Sequence, residues 1–197
     1  KMKIYKTGII GCGGIAQKMA ATLEKMKGVE RYAVASRNQE KAEAFANKWG
    51  FTKAYGSYEE LASDPEVDLI YIATPHAMHY DNAHMCIEKG KPVLCEKAFT
   101  ANARQAEDLL AFAKEKGVFI TEAIWTRYMP LSLKIQELLK EGVIGTPYTL
   151  SANLSYPISN KERIIRPELA GGALLDIGVY TLNFAALAFG SDIAETH

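Results

Sequence analysis

At 197 residues the chain is long enough to bury a core and to hold one or two domains. Apolar residues make up 48% and charged residues 23%, which excludes a disordered or fibrous chain. The 23 Lys plus Arg balance the 23 Asp plus Glu, which excludes an overall field drawing the protein onto nucleic acid or an anionic membrane, so any anion must be gripped locally.

The strand-helix alternation starts at once. Ile4 to Ile10 is a short apolar run ending in glycines, and Ile15, Met19, Leu23 and Met26 follow at helical spacing. Tyr32 to Ala35 reads as a second strand, followed by a helix from about Gln39 to Trp49 with Ala42, Phe45, Ala46 and Trp49 inward. A weak strand near Lys53 to Tyr55 precedes Ser57, a helix cap with Glu60 three residues on. Asp68 to Ala73 is a strong apolar run, and Gly90 is placed to end the next helix in a left-handed conformation. Val93 to Cys95 is a fifth strand. Asn102 caps a helix carrying Ala106, Leu109, Leu110 and Ala113, and Gly117 stops it before the strand Val118 to Thr121. This rhythm predicts an α/β fold, a doubly wound parallel sheet of Rossmann type, over residues 1–122.

Residues 123–197 read differently, as the start of an α+β domain. A helix begins near Pro130 and stops at Gly142. Tyr148, Leu150, Ala152, Leu154 and Tyr156 alternate with polar residues and predict a strand with one buried face. A helix between Gly172 and Gly190 is apolar nearly all round, which predicts burial. Its apolar core, residues 173–189, is broken by Asp176, Gly178 and Asn183 and falls short of the roughly 20 residues of a membrane span, so no membrane partner is expected. The N-terminus, KMKIYKTGII, lacks a signal-peptide pattern, and Cys12, Cys86 and Cys95 lack paired spacing; a reducing cytoplasm is the expected location.

Gly11, Gly13, Gly14, Ile15 and Ala16 lie in a GxGxxA motif between a strand and a helix. Glycines there permit a tight turn and close backbone approach to a pyrophosphate, which then meets the N–H groups of the helix start; the alternative is an ordinary glycine-rich turn. About 20 residues on, where an acid would bind the ribose 2′-hydroxyl of NAD, the chain has Ser36, Arg37 and Asn38. A hydroxyl and a guanidinium suit a 2′-phosphate, so NADP is the expected cofactor and NAD the less favoured one; a solvated surface Arg37 is the alternative.

Thr74 and Pro75 follow the fourth strand, and Glu96 and Lys97 the fifth, where ligands of open α/β sheets bind. A lysine there either charges a crevice or is simply solvated. Asp176, Tyr180 and Asn183 form one polar stripe on the late helix, and buried polar groups need partners. Tyr180 is either a reactive phenol or a satisfied core tyrosine.

GCGGIA at 11–16, TPHAMH at 74–79, CEKAF at 95–99 and GGALLDIGVY at 171–180 together resemble the glucose-fructose oxidoreductase and inositol dehydrogenase family, Gfo/Idh/MocA. Within it, VASRN, AYGSYEEL, EAIWTRYMP and GGALLDIGVY resemble the branch of dimeric dihydrodiol dehydrogenases and NADP-dependent D-xylose dehydrogenases. The resemblance implies a nucleotide domain followed by a domain on an open antiparallel sheet, and hydride transfer between nicotinamide and a carbinol or carbonyl carbon of a cyclic diol or sugar. It makes Tyr180 the general acid/base, Lys97 the cation that lowers its pKa, and Asp176 the residue orienting Lys97 or the substrate hydroxyl. Trp125 and Arg127 fall in the substrate-pocket segment, and His79 in the TPxxxH position near the cofactor. Where the family usually has Pro after the lysine, this chain has Ala98. A cis bond at a non-proline residue costs about 2.5 to 4 kcal/mol, so either that bond is cis or Lys97 is aimed differently.

His76, His79 and His84 lack metal-site spacing, and no metal is expected. A nucleotide-binding sensor and a non-catalytic interaction domain are the competing functions. Family members resembling the chain continue beyond this length and many associate, so an incomplete second domain, homo-oligomers of the whole protein, and exposure of the 148–156 face and part of the late helix are expected.

Overall fold

A computed structural model describes residues 3–158 and 160–195. The chain divides into two compact units, one running to Ala123 and the other beginning at Ile124.

The first unit is a six-stranded parallel sheet of β1 (Tyr5–Ile10), β2 (Val29–Ala35), β3 (Lys53–Tyr55), β4 (Leu69–Ile72), β5 (Val93–Glu96) and β6 (Ile120–Ala123) in the order β3-β2-β1-β4-β5-β6. Strand direction alternates side chains between faces, and both are apolar because helices cover both. One face sets Ile9, Val34 and Tyr71 against α1 (Gly14–Leu23) and α2 (Gln39–Trp49), through Ala16, Ala20 and Phe45. The other sets Ile10, Ile70 and Ile72 against α3 (Tyr58–Ser63), α4 (His79–Glu88) and α5 (Ala103–Lys116), through Leu61, Ile87 and Leu109. Each such fully buried Ile or Leu contributes about 1.5–3 kcal/mol. Chain order reverses between β1 and β4, so the carboxyl ends of these strands open a crevice there.

Local signals set the helix ends. Asn38, Ser57 and Asn102 accept the N–H groups of Lys41, Glu60 and Gln105 at 2.8, 3.2 and 3.0 Å. Gly50 and Gly117 close α2 and α5 in left-handed conformation. A polar cluster absent from the sequence reading braces the β3 edge: the buried Asp64 carboxylate accepts from Lys53 Nζ at 2.9 Å, Tyr55 Oη at 2.6 Å and Glu66 N at 2.9 Å, while Lys91 Nζ donates to the Asp64 carbonyl at 2.6 Å.

The second unit holds α6 (Pro130–Lys140), the single turn α7 (Glu162–Ile165), a π-helical turn Leu174–Gly178 and α8 (Val179–Phe189). The strand expected over 148–156 does not form, and no strand lies in this unit among the described residues. Alternation marks a face, but a strand also needs a hydrogen-bonded neighbour, and none pairs with this segment; Tyr148 is 89% and Tyr156 58% exposed. The helix expected over 172–190 is present, yet the burial predicted from its all-round apolar surface is not: Leu174 is 65% and Leu182 59% exposed. An apolar helix is buried only where other apolar faces meet it, and here α6 and the 125–128 turn meet only part of α8. The sequence estimate of this segment also fell short in length, because residues 167–189 taken together are long and apolar enough to cross a membrane by length and composition. Ala170 and Gly172, at φ 53° and 117°, interrupt it, and Asp176 within it is buried and ion-paired.

Candidate functional site

The glycine turn after β1 has the form the sequence predicts. Gly11 adopts φ +99°, and a Cβ there would sit 2.9 Å from the Ala73 carbonyl oxygen, so only glycine lets β1 turn away this close to β4. Gly13 and Gly14 differ: a Cβ on either meets nothing within 4 Å, which leaves open space over the start of α1. Gly13 caps α1 without a side-chain hydrogen bond, and no acid lies in the first turn. Unspent N–H groups, the positive end of the helix dipole and open space beside exposed Gly13, Gly14 and Ile15 fit a pyrophosphate. Ala16 is buried under the turn and fixes the helix to the sheet.

At the end of β2, Ser36 is buried and its Oγ accepts the Asn38 N–H at 3.4 Å, whereas Arg37 is exposed and forms no ion pair among the described residues. Two neighbours were missed by the sequence reading. Lys41, on the first turn of α2, lies near enough to Cys12 for its charge to oppose the upward push of burial on that thiol's pKa. Tyr58, at the start of α3, is half-buried; burial raises its pKa and the charge of Arg37 acts against the rise.

The loops after β4 and β5 are tied to one another through His79. Its ring is fully buried, with Nδ1 2.7 Å from the Ala98 carbonyl oxygen and Nε2 2.9 Å from that of Thr74. Burial lowers its pKa although both neighbours are acceptors. Thr74 Oγ1 accepts from Asn82 Nδ2 at 3.1 Å, and Pro75 precedes a 3-10 turn over His76–Met78. The Lys97–Ala98 bond is cis. Glu96 is buried, taking a short hydrogen bond from Tyr71 Oη on one oxygen and the Lys97 N–H at 3.2 Å on the other. Burial raises its pKa, with Tyr71 and Lys97 acting against the rise. Glu96 therefore anchors the loop from inside, while Lys97 is half-buried at its tip. His84 stacks on Phe112 with ring centroids 4.1 Å apart, away from this pair of loops on the α4–α5 side.

Within the second unit every member of the polar stripe has a partner. Trp125 Nε1 donates to Tyr180 Oη at 3.1 Å, with the rings edge to face, and Arg127 Nε donates to Asn183 Oδ1 at 2.6 Å. Asp176, 4% exposed, accepts from Arg163 in a short ion pair. Arg163 lies on the single turn α7, in a stretch that the sequence reads as a polar loop, and no sequence signal pointed to it.

Comparison with known proteins agrees with this geometry. A family model described as an oxidoreductase family with an NAD-binding Rossmann fold matches residues 5–123, and a GFO/IDH/MocA C-terminal domain model matches residues 132–197. D-xylose 1-dehydrogenase (NADP(+)) of Hypocrea jecorina is 44% identical over 201 residues, covering 91% of this chain and 51% of its own length. Trans-1,2-dihydrobenzene-1,2-diol dehydrogenase of Mus musculus is 40% identical over 190 residues, covering 95% and 57%. A 3-ketoreductase from Actinomadura kijaniata, solved with NADP, superimposes with a TM-score of 0.82 at 32% identity over 94% of this chain and 56% of that one. The chain thus spans about half the length of the curated relatives it matches. The sheet order alone would admit many nucleotide-binding proteins, and it is the match along the whole Rossmann unit that decides among them: the chain belongs to the GFO/IDH/MocA oxidoreductase family.

Proposed function

We propose that the chain is an NADP-dependent oxidoreductase that moves a hydride between nicotinamide and the carbinol or carbonyl carbon of a cyclic diol or sugar. The observation that carries the cofactor choice is the exposed Arg37 at the end of β2, in place of the acid that a 2′-hydroxyl would need. The substrate class is supported by two relatives, one named for D-xylose and one for a dihydrobenzene diol.

Bound NADP supplies the hydride acceptor, or the reduced form the donor, at nicotinamide C4. In the oxidative direction the Tyr180 phenolate takes the carbinol O–H proton as the C–H pair departs as hydride; in the reductive direction the phenol returns that proton to the substrate oxygen. Trp125 Nε1 donates to Tyr180 Oη, which favours the phenolate, and the charge of Lys97 is assigned the same effect. Asp176, held by Arg163, positions the substrate hydroxyl, and Trp125 and Arg127 supply an apolar wall and a donor to the sugar or diol. Thr74, Pro75, Glu96 and His79 shape the loops beneath the nucleotide. Buried free Cys86 and Cys95 suit a reducing cytoplasm, and the exposed Leu131, Leu174 and Leu182 suit association into a homo-oligomer.

The test is NADPH formation across a panel of vicinal diols and aldoses. Turnover is expected with at least one, and Tyr180→Phe should lower it by about 10²- to 10⁴-fold with NADPH affinity nearly unchanged. Nucleotide binding without turnover on any diol, aldose or corresponding carbonyl would contradict the enzymatic reading.

A further inference from the structure

On β6 the apolar pattern of the sheet is broken by a carboxylate. Ile120 packs against the apolar cluster that α4 and α5 cover, and Glu122, two residues on and so on the same face, is half-buried there. Its register partner on β5 is Cys95, fully buried in that cluster. A charged side chain in such a place costs stability unless it is hydrogen-bonded, and Glu122 Oε1 accepts the Phe99 N–H at 2.9 Å. Phe99 is held twice more: Cys95 Sγ donates to its carbonyl at 3.7 Å, and its ring packs against the cluster. On the two residues before it, His79 Nδ1 lies 2.7 Å from the Ala98 carbonyl oxygen and the Lys97 N–H donates to Glu96 at 3.2 Å. The main chain that carries Lys97 is thus gripped at three successive residues by side chains of β5, α4 and β6. An apolar residue at position 122 would extend the Ile120 face, so the carboxylate is explained by what it holds and not by core packing.

We propose that Glu122 is a positioning residue for Lys97: by taking the Phe99 N–H it fixes the course of the loop after β5, and with it the point from which the lysine charge acts. Glu122 works through its acceptor oxygen and the main chain, not through its charge. Such positioning matters at a reaction centre, where a displacement of about 1 Å costs about 10²-fold in rate. The proposal rests on the oxidoreductase reading above, in which Lys97 favours the phenolate.

Two substitutions separate the acceptor from the charge. Glu122→Gln keeps a carbonyl oxygen within reach of the Phe99 N–H and loses the charge, whereas Glu122→Asp keeps the charge and withdraws it by one methylene. In the 197-residue chain without nucleotide, exchange of the Phe99 amide hydrogen is followed by NMR. It is expected to stay slow in Glu122→Gln and to quicken at least about ten-fold in Glu122→Asp. In the NADPH-formation assay, Glu122→Asp should lower kcat by about 10- to 100-fold with KM within about three-fold, and Glu122→Gln should hold kcat within about three-fold. The rise of kcat with pH should move up by at least about half a pH unit in Glu122→Asp only, because the phenolate loses part of the lysine's help. Loss in Glu122→Gln but not in Glu122→Asp, Phe99 exchange indifferent to both substitutions, or a lower kcat with the pH profile unmoved would each overturn the proposal. If Glu122→Asp does not fold, a loss of kcat or of Phe99 protection in Glu122→Gln still overturns it. A wild type that turns over no diol, aldose or corresponding carbonyl would remove the oxidoreductase reading and this proposal with it. An active wild type whose turnover Glu122→Asp retains would overturn this proposal alone.

Discussion

Gly11 is the residue at which fold and function are hardest to separate. Its positive φ and the 2.9 Å approach of a notional Cβ to Ala73 O mean that Gly11→Ala must strain the backbone and push β1 from β4 at the mouth of the cradle. The variant should lose about 1–3 kcal/mol of stability and at least about ten-fold in nucleotide affinity, checked by thermal melting and titration. Wild-type melting and affinity together would show that the turn has room to spare. Gly11 was legible in the sequence because a glycine after an apolar strand and before a helix leaves few alternatives. Arg163 was not, since an ion pair with Asp176 across a loop follows from tertiary packing and leaves no period. Glu96 was half legible: its place after β5 was evident, but its inward turn to Tyr71 was not.

What the sequence did not anticipate along the connection from β3 through α3 to β4 is the polar brace at Asp64. Burial alone would raise the pKa of this carboxyl, but Lys53, Tyr55 and the Glu66 N–H outweigh it and hold the pKa at about 2, below the ordinary 3.8. A carboxyl depressed in the folded state contributes stability that is complete above about pH 3.8 and is lost as pH falls toward 2. Asp64→Asn should therefore cost about 1.5–3 kcal/mol at neutral pH and flatten the acid limb of a melting-temperature profile between those values. Equal acid sensitivity in wild type and variant would show that other carboxylates dominate. The parallel strands and capped helices were legible because their signals are local: apolar runs, Ser57, Asn102, Gly117. Residues 148–156 show the limit of such signals, since alternation specifies which side would be buried and says nothing of whether a partner strand is there.

At the scale of the molecule, the two units differ in how closely sequence and structure agree. In the first, repeated strand-helix units, a reversal of strand order and a glycine turn all specify one sheet, and each agrees with the others. In the second, the residues at the Trp125–Tyr180 and Arg127–Asn183 contacts were all picked out beforehand, while their pairing with one another was not. The pairing depends on how α8 meets the 125–128 turn, a packing choice open to many sequences. The family places a dinucleotide on the Rossmann unit, and the account rests on its being NADP. Parallel titration of the chain with NADPH and NADH at one fixed ionic strength tests this most directly. Binding of NADPH at least about ten-fold tighter, with the difference falling by about 1–3 kcal/mol in Arg37→Ala, is the predicted result. Equal affinity for the two nucleotides, or a preference that survives Arg37→Ala, would contradict it.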